Sequence, residues 1–223
     1  MQINTVTNSL WTEKYRPSSL DGYIGNESVR EEFQKYIDND DIPHILLQGK
    51  AGTGKTTAGK ILIKALDCDF IYINASDENS IDTIRNKIKD FVSSIGFKKW
   101  KIVLLDEADF ITINAQAALR NLMETFSKKS RFILTCNHPE KILDAIQSRC
   151  TSFVITPPSK KDVAIRMTEI LKAENIEFTP SDIGVIVNSN YPDIRRTIGA
   201  LQRQVTAGKL VLNKQMVAEV DYM

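Results

Sequence analysis

A glycine-rich segment followed by Lys and Thr carries the most specific chemistry in the sequence. Residues 49–56 read Gly-Lys-Ala-Gly-Thr-Gly-Lys-Thr and match the pattern G-x-x-x-x-G-K-[ST] in full. The glycines let backbone N–H groups close around a polyphosphate, and a helix that begins near Lys55 directs its positive end at that charge. We expect Lys55 to bind the β- and γ-phosphates and the Thr56 hydroxyl to ligate Mg²⁺. The simpler alternative is a glycine-rich turn that only precedes a helix.

Acidic residues follow the apolar run at 102–105. The sequence there continues Asp106-Glu107-Ala108-Asp109. An acid at the carboxyl end of a neighbouring parallel strand lies beside a phosphate loop, where open α/β sheets bind ligands. Asp106 is therefore predicted to bind in the coordination shell of Mg²⁺. Glu107 is predicted to act as general base towards the attacking water. An acidic cap for the next helix is the alternative.

Two further polar residues follow later strands. Asn137 comes directly after a fourth apolar run. Its amide could orient the attacking water or sense the γ-phosphate, whereas the alternative is a turn-forming Asn. Arg149 lies just before a fifth run. It is either a solvated or ion-paired surface residue, or an arginine finger presented to a neighbouring subunit.

The elements that must position these residues are short apolar runs that alternate with helical patterns. Unbroken apolar runs of this length are typical of strands buried on both faces of a parallel sheet. The five predicted strands are 43–48, 70–74, 101–106, 131–136 and 152–155. The helical patterns between them are 56–66, 81–95, 116–126 and 141–146. This alternation predicts an α/β fold with a five-stranded parallel sheet in a three-layer sandwich.

Pro157-Pro158 interrupts the alternation, since neither residue can donate a backbone hydrogen bond. After it the pattern predicts helices only, over 160–174, 181–187 and 193–205. We therefore predict two domains, a nucleotide-binding core at 1–157 and a small helical domain at 158–223.

Composition excludes several classes of protein. The chain has 223 residues and a formal net charge of +1, so a uniformly basic nucleic-acid coat is excluded and any basic patch must be local. No apolar run approaches the ~20 residues that span a bilayer, and no signal peptide is evident at the start. The three cysteines are widely spaced, which favours reduced thiols in a cytoplasmic protein over disulfides or a zinc site.

Together these motifs resemble one family. The order Glu13-Lys14-Tyr15-Arg16-Pro17, the phosphate loop, the acidic motif, Asn137 and Ser148-Arg149-Cys150 resembles the AAA+ subunits of sliding-clamp loaders of the replication factor C type. The segment 191–199 is most similar to the large loader subunit of T-even-type phages, which would place the chain in the host cytoplasm. The resemblance extends from Trp11 to about Gln204. It implies an AAA+ core followed by a helical lid.

The resemblance also implies a nucleotide site. In it, Asn137 is sensor 1, Arg195 is the lid arginine that reaches the γ-phosphate, and Arg149 is the finger for the next subunit's site. The segment around the adenine corresponds to Tyr15, Arg16, Pro17 and Ile24. The phosphate loop contributes Gly49, Ala51, Gly52, Thr53, Gly54, Lys55, Thr56 and Thr57. ATP and Mg²⁺ are the implied cofactors.

Three further surfaces are implied by the resemblance. Arg85, Lys87 and Lys89 correspond to a helix that follows DNA phosphates, although a solvated helix face is equally compatible with them. Gln116 and Arg120 correspond to a polar pair that couples DNA contact to the ATP site. The clamp-contacting segment corresponds to Phe110, Ile111 and Ile113, for which burial in the core is the alternative.

The sequence departs from the family pattern in three places. Asn79 stands where an Arg or Lys usually restrains the catalytic Glu until DNA binds, so that switch is weakened or altered. Ala145 stands where a Pro is common, with little expected effect. The family has a helical collar domain after the lid, whereas this chain stops at Met223, so we expect either a truncated chain or assembly without a collar.

The predicted function is that of a clamp-loader ATPase stimulated by DNA and clamp. Its predicted partners are a sliding clamp, the backbone of primer-template DNA, and other loader subunits in a ring or spiral, with no membrane. Two alternatives stay open: another AAA+ DNA-processing ATPase, such as a branch-migration motor or helicase loader, and a nucleotide-binding scaffold that does not hydrolyse. The motif at 106–109 also matches the D-E-A-D motif of DEAD-box helicases. That assignment would require a second RecA-like domain, which the helical remainder cannot supply.

Overall fold

The computed structural model describes residues 10–78, 80 and 82–212. Contacts divide these residues into two compact units. The sheet unit contains residues 18–23 and 27–156, and the helical unit contains residues 10–17, 24–26 and 157–212. No helix among the described residues is long and apolar enough to cross a membrane.

Five parallel strands form the centre of the sheet unit. They are β1 (Ile45–Gln48), β2 (Cys68–Asn74), β3 (Trp100–Asp106), β4 (Ser130–Cys136) and β5 (Thr151–Val154). Their order in the sheet is β2-β3-β4-β1-β5. The prediction of a five-stranded parallel sheet is therefore confirmed, and the strand that precedes the phosphate loop lies between β4 and β5.

Helices occupy most of the remaining chain. They are α1 (Trp11–Lys14), α2 (Glu27–Asp38), α3 (Lys55–Ala65), α4 (Lys89–Ser93), α5 (Ile113–Thr125), α6 (Asp144–Gln147), α7 (Lys160–Ala173), α8 (Pro180–Asn190) and α9 (Ile194–Arg203). A π-helical segment spans Thr83–Ile88, and short 3₁₀ turns span Ala108–Phe110 and Pro139–Lys141.

The strands bury side chains on both faces. On one face, Leu46 and Leu105 pack with Leu119 of α5. On the other face, Leu47 and Leu104 join a cluster that includes residues of α2 and α3. Because neighbouring residues of a strand point to opposite faces, an unbroken apolar run supplies both layers of the core. This is the three-layer arrangement that the alternation predicted.

Two expectations are corrected by the structure. The helix expected over 81–95 is divided between the π-helical segment and α4, and it ends at Ser93, so Ile95 lies in a loop. The region after Pro157-Pro158 is not entirely helical, because β6 (Val205–Thr206) and β7 (Lys209–Leu210) form an antiparallel pair. Ala207 and Gly208 both have positive φ, which is the conformation of a tight hairpin turn. This turn reverses the chain between β6 and β7.

Residues near the amino terminus pack with the later helices. Trp11 is buried in the same cluster as Met167 of α7, Ile186 of α8 and Leu201 of α9. Its backbone N–H also donates to Gln202 Oε1 at 3.0 Å. The segment that precedes the sheet unit in the sequence is therefore part of the helical unit.

Candidate active site

The phosphate loop connects β1 to α3 at the carboxyl edge of the sheet. Gly54, the residue before α3, has a φ of 100°, which favours glycine. At Gly49, an added Cβ would lie 2.3 Å from the carbonyl oxygen of Ile155, so no side chain fits. These two positions explain why the loop requires glycine where the motif has it.

The ammonium of Lys55 is buried within this loop. Its Nζ donates to Gly49 O at 2.9 Å, Lys50 O at 2.8 Å and Asn137 Oδ1 at 2.8 Å. These bonds use all three N–H donors of the ammonium. Burial lowers the pKa of Lys55 below its ordinary value, and the opposing charge of Asp106 is among the groups that raise it. A phosphate oxygen at this position would replace one of the three oxygen acceptors.

The carboxylate of Asp106 accepts hydrogen bonds from three hydroxyl groups. Its Oδ1 accepts from Thr56 at 2.7 Å and from Thr135 at 2.6 Å. Its Oδ2 accepts from the Tyr72 hydroxyl at 3.0 Å. Asp106 is only 9% exposed, and burying a carboxylate is costly unless such donors satisfy its oxygens. The sequence did not single out Thr135 or Tyr72, although both precede predicted strand ends on neighbouring strands.

Glu107 turns the chain sharply after β3. It has a left-handed backbone conformation, with φ of 55° and ψ of 44°, which is uncommon for a residue other than glycine. Its N–H donates to Thr135 Oγ1 at 3.0 Å, which helps to hold this conformation. Backbone strain of this kind is concentrated at functional sites, where surrounding contacts maintain it.

Asp109 joins the turn formed by residues 106–109, called here the acidic turn, to the end of β4. Its Oδ2 accepts from the N–H groups of Asn137 at 3.3 Å and His138 at 3.1 Å. Asn137 is thus held by its backbone to Asp109 and by its side chain to Lys55. The structure therefore brings together Lys55, Asp106 and Asn137, as the sequence predicted, and adds Asp109 to them.

The residues at this edge fit a nucleotide phosphate with Mg²⁺. Among the described residues no group of three or more His, Cys, Asp or Glu side chains could hold a metal ion by itself. Mg²⁺ in nucleotide sites is typically bound by one or two protein oxygens together with phosphates and water. The Thr56 hydroxyl and the Asp106 carboxylate, 2.7 Å apart, supply such oxygens beside the glycine loop.

Other residues of the loop are placed by its fold. Thr53 is buried and its hydroxyl donates to Lys50 O at 2.9 Å, which closes the loop on itself. Ala51 is exposed, whereas Gly52 and Thr57 are partly buried. Thr53 thus stabilises the loop from within.

Gln116 links the acidic turn to the segment after β4. This buried amide donates to Ile111 O at 3.1 Å and Lys141 O at 2.8 Å, and accepts from the Leu143 N–H at 2.8 Å. Arg120, one turn later on α5, is partly buried, and its Nη2 donates to Asn121 Oδ1 at 2.9 Å. Gln116 therefore connects the loop after the acidic residues 106–109 to the segment after β4, and Arg120 lies nearer the surface.

Arg149 lies at the opposite edge of the sheet from the phosphate loop. It precedes β5, whose first residue Thr151 pairs with Ile45 at the start of β1. The four residues of β1 separate it from Gly49, about 13 Å at roughly 3.3 Å per residue, so its side chain cannot reach the phosphate loop of its own chain. It is exposed, forms an ion pair with Glu124 and lines a cleft of about 570 Å³.

Several other predicted site residues belong to the helical unit. The Tyr15 hydroxyl donates to Glu174 Oε1 at 2.6 Å, and Arg166 donates to Tyr15 O at 3.2 Å. Arg195 is exposed in the first turn of α9, where a cation is disfavoured by the helix dipole, so its position does not serve helix stability. Three more predicted site residues lie in this unit. Arg16 is paired with Glu13, Pro17 is partly buried, and Ile24 packs on the core of the unit.

The predicted DNA-contacting cations lie at the surface of the sheet unit. Arg85, Lys87 and Lys89 are all exposed. Lys87 donates to both carboxylate oxygens of Glu78 at 2.8 Å, so its charge is partly neutralised. Asn79, the predicted regulatory residue, lies outside the described residues.

The predicted clamp contacts divide between surface and core. Phe110 is 51% exposed and Ile113 is 70% exposed. Ile111 is 4% exposed and packs in the core, so its side chain is not available to a partner and the expectation for it was wrong. The sequence did not single out a more exposed apolar pair, because Ile95 was placed at the end of a predicted helix and Phe97 in no predicted element. These two residues are 91% and 94% exposed.

Comparison with known proteins identifies the family. The model of the AAA family, ATPase family associated with various cellular activities, matches residues 45–158. The replication factor C small subunit of Halobacterium salinarum is 43% identical over 215 residues, covering 94% of this chain and 67% of that protein. The chain belongs to the AAA ATPase family and, within it, to the replication factor C small-subunit type.

Other relatives agree with this assignment. The replication factor C small subunits of Sulfolobus acidocaldarius and Methanoregula boonei are 41% and 39% identical, covering 91% and 97% of this chain. The chain spans about two thirds of the length of these relatives, 65% and 68%. These relatives do not support the finer placement among phage large subunits, which stays a prediction.

Solved structures share the fold of this replication factor C-type chain. The Thermotoga maritima RuvB Holliday junction branch migration motor superposes with a TM-score of 0.75 at 16% identity, covering 93% of this chain and 72% of that one. At this identity the likeness shows the fold alone. Together with the match to the AAA family model, this likeness confirms the predicted α/β fold.

We predict that Thr135→Val will lower ATP turnover by about 10- to 100-fold, because it removes both the donor to Asp106 and the acceptor for the Glu107 N–H. Steady-state hydrolysis at saturating Mg²⁺ measures this. Thr135→Ser, which keeps the hydroxyl, should restore most of the rate. Equal rates for the Val and Ser variants would show that the hydroxyl has no part in catalysis.

Proposed function

We propose that this chain is the ATPase subunit of a DNA polymerase sliding-clamp loader, which uses ATP binding to open and hold the clamp and DNA-triggered hydrolysis to release it. One observation carries the catalytic part of the proposal. The phosphate loop is joined to Asn137 by the hydrogen bond from Lys55 and to the acidic turn by the hydrogen bond from Thr56 to Asp106, both partly buried. Membership of the replication factor C small-subunit type supports the part that concerns the clamp and DNA.

The nucleotide contacts in this proposal are those that the resemblance implies. Lys55 and the loop N–H groups hold its phosphates, and Tyr15, Arg16, Pro17 and Ile24 surround its adenine. Arg195 is assigned to its γ-phosphate. The Glu174 and Arg166 bonds that fix Tyr15 support a defined position for that aromatic ring.

Catalysis is assigned to the acidic turn. Glu107 accepts a proton from the attacking water as general base, and Asn137 orients that water. Lys55 and the loop N–H groups stabilise the charge that develops on the phosphate oxygens. Bound Mg²⁺, held by Thr56 and Asp106, would neutralise charge between the β- and γ-phosphates.

Arg149 acts in trans in this scheme. The strand register keeps it away from the phosphate loop of its own chain, and it lies exposed beside a cleft. A neighbouring subunit in a ring or spiral can bring its own bound nucleotide to this edge. Arginine fingers of this kind contribute about 10³–10⁵ in rate in other NTPases.

DNA contact is proposed for the exposed cations of the segment 83–93. Arg85 and Lys89 are the stronger candidates, since Lys87 is engaged by Glu78. Contacts to phosphates follow duplex shape rather than sequence, and they weaken steeply with salt. Gln116 supports coupling of DNA contact to catalysis, because it ties the acidic turn to the segment after β4. The cytoplasmic location, in a host cell if the chain is phage-encoded, belongs to the same proposal.

For the clamp, the loop at Ile95 and Phe97 offers a better contact than Phe110 and Ile113. The buried Lys101 donates to Ser94 O at 2.6 Å, and Asp69 Oδ2 accepts from the Phe97 N–H at 3.0 Å, so the loop is held in place. A fixed loop that presents two nearly fully exposed apolar side chains is suited to an apolar pocket on a partner. We name Ile95 and Phe97 the apolar tip.

The alternatives receive less support. The likeness to a branch-migration motor concerns the fold alone, whereas identity above 40% connects the chain to replication factor C small subunits. A scaffold that never hydrolyses ATP would not require the bonds that hold Asp106, Glu107 and Asn137 around the phosphate loop.

The proposal predicts that ATP hydrolysis by the assembled loader rises several-fold when primer-template DNA and clamp are added together. Steady-state phosphate release, with each component omitted in turn, measures this. Lys55→Ala should abolish nucleotide binding and hydrolysis, because it removes the buried cation. Stimulation by a Holliday junction but not by the clamp would favour the branch-migration alternative, and nucleotide binding without turnover would favour the scaffold.

Arg149→Ala should leave the nucleotide affinity of the isolated chain nearly unchanged and lower hydrolysis in the assembled loader by about 10³-fold or more. Lys128→Ala, which removes an exposed cation of the same unit, is the matched control. The comparison is between nucleotide titration of the chain alone and turnover of the complex. An equal loss in both measurements would contradict action in trans.

The double variant Ile95→Ala/Phe97→Ala should weaken clamp binding in the presence of ATP by at least about 10-fold, since a buried aromatic anchor contributes much of an interface's affinity. Equilibrium binding to labelled clamp measures the effect, and Phe110→Ala/Ile113→Ala is the matched pair. A larger loss in the second variant would place the contact at Phe110 and Ile113 instead of at the apolar tip.

A further inference from the structure

Tyr23 carries a buried hydroxyl group without a hydrogen-bond partner. The residue is 5% exposed, and its Oη is buried with no partner among the described residues. Burial raises the pKa of the Tyr23 phenol far above its ordinary value, so the group keeps its proton. The great majority of buried hydroxyl groups are paired, and leaving one unpaired costs stability. A phenylalanine would fill the same space without that cost.

The hydroxyl lies against the end of the phosphate loop. A Cβ built on Gly54 would lie 3.2 Å from Tyr23 Oη and 3.1 Å from Cε2, so the phenol occupies the space beside that glycine. Gly54 directly precedes Lys55 and the first turn of α3, whose N–H groups and positive dipole end favour an anion. The hydroxyl therefore lies beside the glycine at which the phosphate loop joins α3.

The phenol is fixed in this position. The Tyr23 N–H donates to Leu20 O at 3.1 Å. Its ring belongs to the core cluster that contains Val29 of α2 and Ala58 of α3. Because the ring packs in this cluster, its hydroxyl cannot turn to reach water without breaking these contacts.

We propose that the Tyr23 hydroxyl is a nucleotide-binding group that donates a hydrogen bond to a phosphate oxygen held by the loop. The inference rests on the proposed function and adds a contact that neither the motif nor the resemblance includes. A bound phosphate oxygen would replace an acceptor of Lys55, which directly follows Gly54, and Tyr23 Oη lies beside that glycine.

A packing role is the competing explanation. In that case the ring of Tyr23 only fills space beside Gly54, and the hydroxyl is incidental. The two explanations differ in what Tyr23→Phe does, because this substitution keeps the ring and removes only the oxygen. Under the packing role, nucleotide affinity does not change.

The test compares Tyr23→Phe with the unaltered chain in two measurements. Without nucleotide, the variant should melt at the same or a higher temperature, since an unpaired buried hydroxyl is removed. With Mg²⁺ and ADP, its affinity in an equilibrium titration should fall by roughly 10-fold, the size expected for a hydrogen bond to a charged oxygen. The ³¹P resonance of a phosphate of bound ADP should also shift. Tyr36→Phe, which removes a partly buried phenol oxygen on α2, is the control and should change neither affinity nor the ³¹P spectrum.

Each other result overturns the inference. Unchanged ADP affinity assigns Tyr23 to packing. A fall in both melting temperature and affinity makes the hydroxyl a structural group, and weaker binding with unchanged ³¹P resonances places its contact away from the phosphates. If the unaltered chain itself fails to bind ADP, the proposed function fails together with the inference, whereas all the earlier results leave it intact.

Discussion

The carboxylate of Asp106 is the point on which the rest of the site depends. It ends β3, and it accepts hydroxyl donors from three other elements: Thr56 at the start of α3, Tyr72 on β2 and Thr135 on β4. A buried carboxylate is stable only with such donors, and parallel strands that end at one edge of a sheet can supply them. The Thr135 hydroxyl also accepts from the N–H of Glu107, so the network that holds the proposed metal ligand also fixes the backbone of the proposed general base.

The two edges of the sheet have separate roles in the proposed assembly. Phosphate binding and the catalytic turn lie at the carboxyl edge, and Arg149 lies at the amino edge, beyond the start of β1. The length of the strands separates them, so in the proposed assembly Arg149 belongs to the site of a neighbouring subunit. An exposed arginine at one edge and a phosphate loop at the other therefore favour neighbours that contact each other edge to edge. Helix α5 lies between these regions: Gln116 contacts the loops of the catalytic edge, and Glu124 pairs with Arg149.

Burial separates residues that the sequence grouped together. Phe110, Ile111 and Ile113 are adjacent apolar residues, but Ile111 faces the core and its neighbours face the surface. Conversely, Ile95 and Phe97 lie in a loop held by Lys101 and Asp69 and are almost fully exposed. Exposure depends on what the rest of the chain places over a residue, and local apolar pattern does not report it.

The sequence by itself determined the strands, the phosphate loop and the acidic turn, because buried parallel strands are unbroken apolar runs and a loop that wraps phosphate needs glycine followed by Lys and Thr. It also placed Asp106 and Asn137 at strand ends that meet. Only the tertiary structure decided which hydroxyl groups reach Asp106, that the Tyr23 phenol lies unpaired against Gly54, and that residues 205–210 form a hairpin. These features depend on contacts between residues far apart in the chain, such as Thr135 with Asp106, and no local pattern of residue types encodes such contacts.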